Sequence, residues 1–254
     1  ATLRQRPLRL PLRLRVLWVR ASQGVGAGPA AAHLRRATPA RPCHLGRCSG
    51  QGNRTDQLNL MPGPASFTIL TVCTGNICRS PAAERLLASG LGPGVNVHSA
   101  GTWALDGHPI DEQMADLLNS VGARADDFAA RQVEPGHLRA SDLVLALTTA
   151  HRADMLQLAP AAVRRSFTLL EFARVVGSVD FPTIPAGDVA HRLREMVTVA
   201  SRHRMLGEVI NGDDVPDPYR RGPEAFEASF ELIKTAVDVI VEAAWGPGTW
   251  RKQP

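Results

Sequence analysis

The sequence has few cysteines, few aromatic residues and no long apolar run. Only four of its 254 residues are cysteines. Two of them, Cys43 and Cys48, have only the scattered His33 or His44 as further ligands, which falls short of a zinc pattern. Arginines interrupt every apolar stretch near the N-terminus, so no stretch is long enough for a membrane span or for the core of a signal peptide. We therefore expect no metal site and no membrane span.

Acidic residues are nearly absent from the first quarter of the chain. Residues 1–60 carry eleven arginines and a single acid, Asp56, which gives a net charge of +10. The remaining residues carry 18 basic and 23 acidic side chains, a net charge of −5. The overall charge of +5 and the pI of about 9.6 therefore reflect the N-terminal segment. They do not indicate nucleic-acid binding by the rest of the chain.

The composition of residues 1–60 predicts an unstructured, Arg-rich segment. Met61 is the first methionine, and Met61–Ser66 leads directly into a predicted strand. An over-extended translation start is the simplest interpretation, with a disordered tail or a targeting or surface-binding segment as the alternatives. We expect one folded domain over residues 64–246 and a short tail over 247–254.

The segment Val72–Pro81 is the most informative part of the chain. An apolar, β-branched run precedes Cys73, five residues separate Cys73 from Arg79, and a helical pattern follows. This order places the cysteine on a tight loop between a strand end and a helix start. Backbone N–H groups and the positive end of a helix can hold a phosphate oxyanion at such a loop.

Each residue type in this loop suits a thiolate nucleophile that attacks phosphate. Loop amides, the helix N-terminus and Arg79 favour the anionic sulfur, and the guanidinium fork of Arg79 matches two phosphate oxygens. Gly75 is expected to supply backbone freedom, and Asn76 to fix the curl of the loop by side-chain hydrogen bonds. Ser80 can cap the helix and donate its hydroxyl to the sulfur. Cys78 is either a structural residue or a resolving thiol that protects Cys73 during oxidation.

This segment resembles the signature of the low-molecular-weight protein tyrosine phosphatases, Val-Cys-x-Gly-Asn-x-Cys-Arg-Ser-Pro, at every fixed position. An Asp-Pro pair at Asp217–Pro218 matches a second family motif, and His98–Thr102 and Ala140–Leu147 are weaker matches in the family's order. The resemblance covers roughly residues 66–244. It implies a phosphocysteine mechanism without a metal or other cofactor, and it favours the resolving role of Cys78.

The candidate site follows from these motifs. Cys73 is the predicted nucleophile, Arg79 the anion clamp, and Asp217 the acid that protonates the leaving oxygen and then activates water. Ile77, Trp103 and Tyr219 are predicted to line the substrate cleft. The predicted phosphate-binding residues form one run of the loop: Thr74, Gly75, Asn76, Ile77, Cys78, Arg79 and Ser80.

Strand and helix signals alternate along the chain, which predicts an α/β fold. Strands are predicted near 66–73, 95–100, 142–148 and 166–171, and helices near 80–90, 111–121, 150–158, 188–206 and 222–244. The stretch 177–188 is predicted to be a long loop. We expect a single three-layer, doubly wound domain with a central four-stranded parallel sheet and helices on both faces.

Three classes of function compete for this site. The favoured one is a cytoplasmic protein tyrosine phosphatase that acts on a phosphotyrosine-bearing protein, with a cognate tyrosine kinase as a further partner. An arginine phosphatase or an arsenate reductase of the same fold is the second, and a non-catalytic phosphate-binding module the third. The apolar Ile77 suits an aromatic ring better than a guanidinium, and no cysteine follows Cys78 to serve an arsenate reductase.

Overall fold

The computed structural model describes residues 66–179, 181, 189–205 and 212–246. Its centre is a sheet of four parallel strands in the order β2-β1-β3-β4. This confirms the predicted doubly wound α/β fold. The predictions for residues 1–60 and 247–254 lie outside the described residues, as does most of the predicted loop. The strands are β1 Phe67–Cys73, β2 Val95–Gly101, β3 Leu143–Ala146 and β4 Ser166–Thr168.

Helices follow each of the four strands and cover both faces of the sheet. One short 3-10 helix, Pro160–Arg165, leads into β4. The α-helices are α1 Arg79–Leu91, α2 Glu112–Ser120, α3 Pro135–Ala140, α4 Thr149–Leu158, α5 Leu169–Gly177, α6 Val189–Met205 and α7 Pro223–Trp245.

Apolar side chains from alternate positions of the strands feed two separate cores. On the larger face, Ile69 and Leu145 pack with residues of α1, α2, α5, α6 and α7. On the smaller face, Leu70 and Val144 pack with residues of α3 and α4. The predicted buried stripe of the last helix is confirmed, since each of its members is at most 2% exposed: Phe226, Phe230, Ile233, Val237, Ile240 and Val241.

The fourth strand is shorter than predicted, and a helix that the sequence analysis missed takes its place. The strand predicted over 166–171 ends at Thr168, and α5 begins at Leu169. The Thr168 hydroxyl accepts a hydrogen bond from the Glu171 amide at 3.1 Å, and the Glu171 carboxylate accepts one from the Thr168 amide at 3.2 Å. This reciprocal cap starts the helix inside an apolar run that otherwise suits a strand. The one-and-a-half-turn helix α3 was missed as well.

The central strand β1 lies between β2 on one side and β3 on the other. The chain passes from β1 to β2 on one side and from β3 to β4 on the other, so the connections that leave β1 and β3 run in opposite directions. The segment from Cys73 to the start of α1 lies at this point. Ligands in doubly wound sheets bind at this position, outside the carboxyl ends of the strands. The fold thus places the Cys73 loop at its natural binding point.

Candidate active site

The loop that follows Cys73 turns its carbonyl groups outward. Four backbone amides of the segment after β2 donate hydrogen bonds to these carbonyl oxygens, with N to O distances of 2.8 to 3.0 Å. Because a peptide unit is planar, the N–H of the next residue points the opposite way, to the inside of the curl. The loop amides therefore converge on one hollow, which can hold an oxyanion. The four bonds run from Thr102 to Cys73, from Trp103 to Thr74, from Leu105 to Gly75 and from Asp111 to Ile77.

Two residues make this tight curl sterically possible, and neither is Gly75. The residue in the left-handed region is Asn76, with φ of 55°, whereas Gly75 has no positive φ. The backbone freedom expected of Gly75 is thus needed one residue later, where asparagine tolerates it. Gly101 matters for a different reason. A Cβ on Gly101 would overlap the Thr74 carbonyl oxygen, so only glycine lets β2 approach the loop this closely.

The Asn76 side chain fixes the loop through three hydrogen bonds. Its Oδ1 accepts from the Arg131 amide at 2.9 Å, which sets the orientation of the side-chain amide. Its Nδ2 then donates to Ser80 Oγ at 2.9 Å and to Ser99 Oγ at 2.8 Å. The Ser99 hydroxyl in turn donates a hydrogen bond to the buried carboxylate of Glu84. Asn76 therefore fixes the loop by side-chain hydrogen bonds, as predicted. The donor and the acceptor of each of these bonds are defined.

Because Ser80 Oγ accepts this hydrogen bond from Asn76, its own hydrogen can be donated to the sulfur of Cys73. Ser80 Oγ lies 3.0 Å from Cys73 Sγ and 3.4 Å from the Ala100 carbonyl oxygen. The sulfur is the closer of these two acceptors for the Ser80 hydroxyl hydrogen. The expected capping role of Ser80 was wrong, since α1 begins at Arg79 and no side chain caps it. The Ser80 hydroxyl contacts the Cys73 sulfur instead.

The second cysteine of the loop has a different environment. Cys78 is 4% exposed, and burial, followed by the charge of nearby Asp111, raises its thiol pKa far above the ordinary value. Cys78 therefore keeps its proton at neutral pH. Cys73 is 2% exposed, and its Sγ contacts the Ser80 hydroxyl. Both thiols are free, and the loop gives them different surroundings.

Arg79 joins this loop to the predicted acid. Its side chain is 5% exposed, its Nη2 lies 2.7 Å from Asp217 Oδ2, and its Nη1 donates to the Val215 carbonyl at 3.2 Å. The Nε–H of Arg79 is buried and has no hydrogen-bond partner in the described part of the chain. It is a donor available to an oxyanion. The Asp217 side chain is 45% exposed, so the acid reaches solvent while its guanidinium partner does not.

The two acidic residues before Val215 are both fixed by hydrogen bonds or ion pairs to other elements. Asp213 pairs with Arg174 at 2.9 Å, and burial raises its pKa despite that partner. Asp214 Oδ1 accepts a hydrogen bond from the Thr149 amide at 2.6 Å. Neither contacts the Cys73 loop in the described structure. Their side chains instead tie the Asp217 segment to α5 and to the start of α4.

The predicted cleft residues differ in exposure. Trp103 is 79% exposed and Tyr219 is 39% exposed, and these are the exposed aromatic side chains within the described ranges. The Trp103 amide donates to Thr74, and the Arg220 guanidinium lies 5.1 Å from the centre of the Tyr219 ring. Ile77 is only 8% exposed. Two aromatic side chains thus extend from segments that border the loop, while Ile77 forms part of its floor.

His151 is a site residue that sequence reasoning missed. It is 6% exposed, and its Nε2 lies 2.8 Å from Thr74 Oγ1 while its Nδ1 lies 2.9 Å from Thr148 Oγ1. Burial, followed by the charge of Arg79, lowers its pKa to about 4. The ring is therefore neutral at physiological pH. No spacing in the sequence connects this histidine to a loop 77 residues away, so only the fold could reveal the contact.

Two kinds of feature are absent from the described residues. No group of three or more His, Cys, Asp or Glu side chains among them could hold a metal ion. None of the helices within the described ranges is long and apolar enough to cross a membrane.

Comparison with known proteins gives one consistent family. The model of the family described as "Low molecular weight phosphotyrosine protein phosphatase" matches residues 68–183. The chain is 31% identical over 169 residues to the low molecular weight protein-tyrosine-phosphatase Etp of Escherichia coli K12, covering 66% of this chain and 88% of that protein.

Solved structures show the same fold. The tyrosine phosphatase AmsI of Erwinia amylovora matches with a TM-score of 0.53 and 27% identity, over 72% of this chain and 95% of that one. The YwlE arginine phosphatase of Geobacillus stearothermophilus matches with a TM-score of 0.52 and 28% identity, over 69% of this chain and 91% of that one.

Proposed function

The chain belongs to the low molecular weight protein-tyrosine-phosphatase family, and on that premise we propose that it hydrolyses phosphotyrosine in proteins through a phosphocysteine intermediate. One observation carries the proposal: the buried Arg79 contacts Asp217 beside a loop whose amides converge and whose cysteine sulfur contacts a serine hydroxyl. A nucleophile, an anion clamp and an acid are therefore within reach of one phosphate group.

In the first half of the reaction, the Cys73 thiolate attacks phosphorus and the bond from phosphorus to the tyrosine oxygen breaks. The loop amides and Arg79 stabilise the negative charge on the phosphoryl oxygens, with the Nε–H of Arg79 as an available donor. The Ser80 hydroxyl stabilises the thiolate before attack and after release. Arg79 exchanges its contact with Asp217 for phosphate oxygens as the substrate enters.

Asp217 carries the proton in both halves of the reaction. Its carboxylic acid protonates the leaving tyrosine oxygen, and the resulting carboxylate then takes a proton from the water that attacks the phosphocysteine. Phosphate and the Cys73 thiolate are the products. Prolines on both sides of Asp217 hold it in extended backbone, and its 45% exposure admits both the leaving group and water.

The choice between phosphotyrosine and phosphoarginine rests on the loop and its borders. Tyrosine and arginine phosphatases match this fold almost equally well, so the fold itself does not separate them. An apolar Ile77 favours an aromatic ring over a guanidinium, and the exposed rings of Trp103 and Tyr219 can flank a phosphotyrosine. An arsenate reductase would need a further cysteine after Cys78, and the sequence has none.

The partner is a phosphotyrosine-bearing protein, and we include a cognate tyrosine kinase as a candidate substrate. A thiolate enzyme with two free cysteines in one loop suits the reducing cytoplasm. Under oxidation, Cys78 would act as a resolving thiol that forms a disulfide with Cys73 and prevents further oxidation of the nucleophile.

Hydrolysis of matched peptides tests the proposal. The protein is assayed on one peptide carrying phosphotyrosine and on the same peptide carrying phosphoarginine, both with a metal chelator present. We expect faster release of phosphate from phosphotyrosine, with acid quench trapping phosphate on Cys73. A preference for phosphoarginine, or phosphate trapped on another residue, would contradict the proposal.

A further inference from the structure

The turn between β3 and α4 contacts both halves of the candidate site. We call Leu147–His151 the junction turn. Its Thr148 caps α4 by accepting a hydrogen bond from the His151 amide at 3.1 Å, and this cap holds the imidazole against the end of the turn. From there the ring reaches Thr74, the first residue after Cys73, at 2.8 Å. The junction turn is thereby fastened to the phosphate-binding loop.

The same turn is fastened to the segment that carries the acid. The Val215 amide donates to the Leu147 carbonyl at 2.8 Å, and the Thr149 amide donates to Asp214 Oδ1 at 2.6 Å. The Thr149 hydroxyl adds a weaker contact to the same carboxylate at 3.4 Å. Five consecutive residues therefore bind two segments that lie about 140 residues apart in the sequence.

The contacts at Val215 carry over to Asp217 because the backbone between them is stiff. Val215 is fully buried, and its carbonyl accepts from Arg79 at 3.2 Å. Pro216 and Pro218 flank Asp217 and restrict its backbone. A displacement of Val215 relative to the Cys73 loop would therefore move the Asp217 carboxyl by a similar distance.

The imidazole makes these contacts in its neutral form. Burial and the neighbouring Arg79 oppose its protonation and hold its pKa at about 4, against the weaker influence of Asp154, Asp217 and Asp214. A neutral imidazole has one donor and one acceptor nitrogen. Thr148 can donate its hydroxyl hydrogen to Nδ1, because its oxygen already accepts from the His151 amide. Nε2–H then donates to Thr74.

We propose that His151 is a positioning residue: through the junction turn and Thr74 it holds the Asp217 acid in register with the Cys73 nucleophile. This inference rests on the proposed function and adds a residue to it. His151 itself touches neither the reacting sulfur nor the acid among the contacts of the structure. Loss of its bond should therefore impair proton transfer to the leaving group more than it impairs attack by the sulfur.

Substrates with different leaving groups separate these two effects. Phenyl phosphate needs its leaving oxygen protonated, whereas p-nitrophenyl phosphate needs this far less. For His151→Phe we expect kcat/KM, which reports the steps up to cleavage of the phosphorus–oxygen bond, to fall by about tenfold or more on phenyl phosphate and by less than about threefold on p-nitrophenyl phosphate. His151→Gln, which keeps a donor near the position of Nε2, should recover most of the loss. His98→Gln, at an exposed position of β2, serves as the matched control.

Variants at other hydrogen bonds of the junction turn provide an independent test. Asp214→Ala removes the acceptor of the Thr149 amide and should reproduce the leaving-group effect, whereas Asp214→Asn keeps an acceptor oxygen and should not. The combination of His151→Phe with Thr74→Val should cost less than the two single losses together, because both break the same bond. The Asp214 variants keep the test open if His151→Phe does not fold.

The outcomes that would overturn the inference are distinct from failure of the proposed function. Equal losses on both substrates, together with weaker inhibition by inorganic phosphate, would mean that His151 supports only the phosphate-binding loop. Unchanged kcat and kcat/KM on both substrates would mean that it supports neither segment. If the unmodified protein hydrolyses phosphoarginine but not phosphotyrosine, the proposed function fails while the leaving-group comparison on the aryl phosphates still decides the role of His151.

Discussion

The two loops that form the candidate site are built in opposite ways. The Cys73–Ser80 loop is buried, with Cys73 at 2% and Arg79 at 4% exposure, and a dense set of hydrogen bonds fixes it. The Asp213–Tyr219 segment has a 45% exposed acid and is held mainly by contacts to its first three residues. A nucleophile and anion clamp gain from a dry, preorganised setting, whereas an acid must meet both a leaving group and water.

Replacement of the nucleophile should have the largest effect. Cys73→Ser should abolish turnover and leave the fold intact, because an alcohol forms no comparable anion at neutral pH. Phosphate release and the thermal unfolding midpoint measure the two parts of this expectation. Cys78→Ser is the matched control and should retain measurable turnover, because burial keeps the Cys78 thiol protonated. Comparable inactivation of both variants would remove the distinction between the two cysteines.

Replacement of the acid should have the second largest effect and should depend on the substrate. Asp217→Asn should slow hydrolysis of phosphotyrosine by roughly two to four powers of ten, since the amide cannot donate a proton to the leaving oxygen. The loss should shrink for p-nitrophenyl phosphate, whose leaving group needs less protonation. Equal losses on both substrates would assign Asp217 a structural role, and the contrast between the loops would then fail.

A change at Gly101 tests how tightly the buried loop is packed. Gly101→Ala should destabilise the fold by about 1 to 3 kcal/mol, because the new methyl group would overlap the Thr74 carbonyl oxygen. Phosphate binding should weaken as the loop shifts. Gly94→Ala is the control, since a Cβ there meets nothing within 4 Å. Chemical denaturation measures the free energy of unfolding, and identical values for both variants would show that the loop can move away at little cost.

The burial of the His151 imidazole should make the stability of the protein depend on pH. Its folded pKa of about 4 lies below the ordinary value of 6.5, so between these values the unfolded chain binds more protons. The free energy of unfolding should therefore fall as the pH drops from about 6.5 to about 4, by up to roughly 3 kcal/mol from this residue. His151→Gln should flatten the curve in that window. An unaltered slope would show that the imidazole is hydrated in the folded protein.

A change of specificity should be the smallest effect. If Ile77 favours an aromatic ring, Ile77→Thr should move the ratio of kcat/KM values from phosphotyrosine towards phosphoarginine by several-fold, on the order of 1 kcal/mol. Ile77→Val, which stays apolar, is the control. An unchanged ratio would remove the reason for ranking phosphotyrosine above phosphoarginine on this residue, and would move attention to the exposed aromatic side chains of Trp103 and Tyr219.

The sequence by itself determined the local parts of this protein. The loop between β1 and α1 was predictable because a contiguous run of ten residues contains the strand end, the cysteine, the guanidinium and the helix start. The core face of α7 was predictable because a helix repeats its buried positions every three to four residues. Asp217 was found through its family motif. Errors arose where local signals competed, as at Thr168, where a side-chain cap started a helix inside a strand-like run.

Only the tertiary structure decided how the two loops meet. The direction of the Ser80 hydroxyl depends on Asn76, Ser99 and Glu84, which lie on three different elements. The neutral state of His151 depends on its burial beside Arg79. Such properties come from side chains that are distant in sequence, and a hydrogen bond or a lowered pKa exists only once folding has removed water from both partners. A local sequence pattern therefore cannot predict these hydrogen bonds or this pKa.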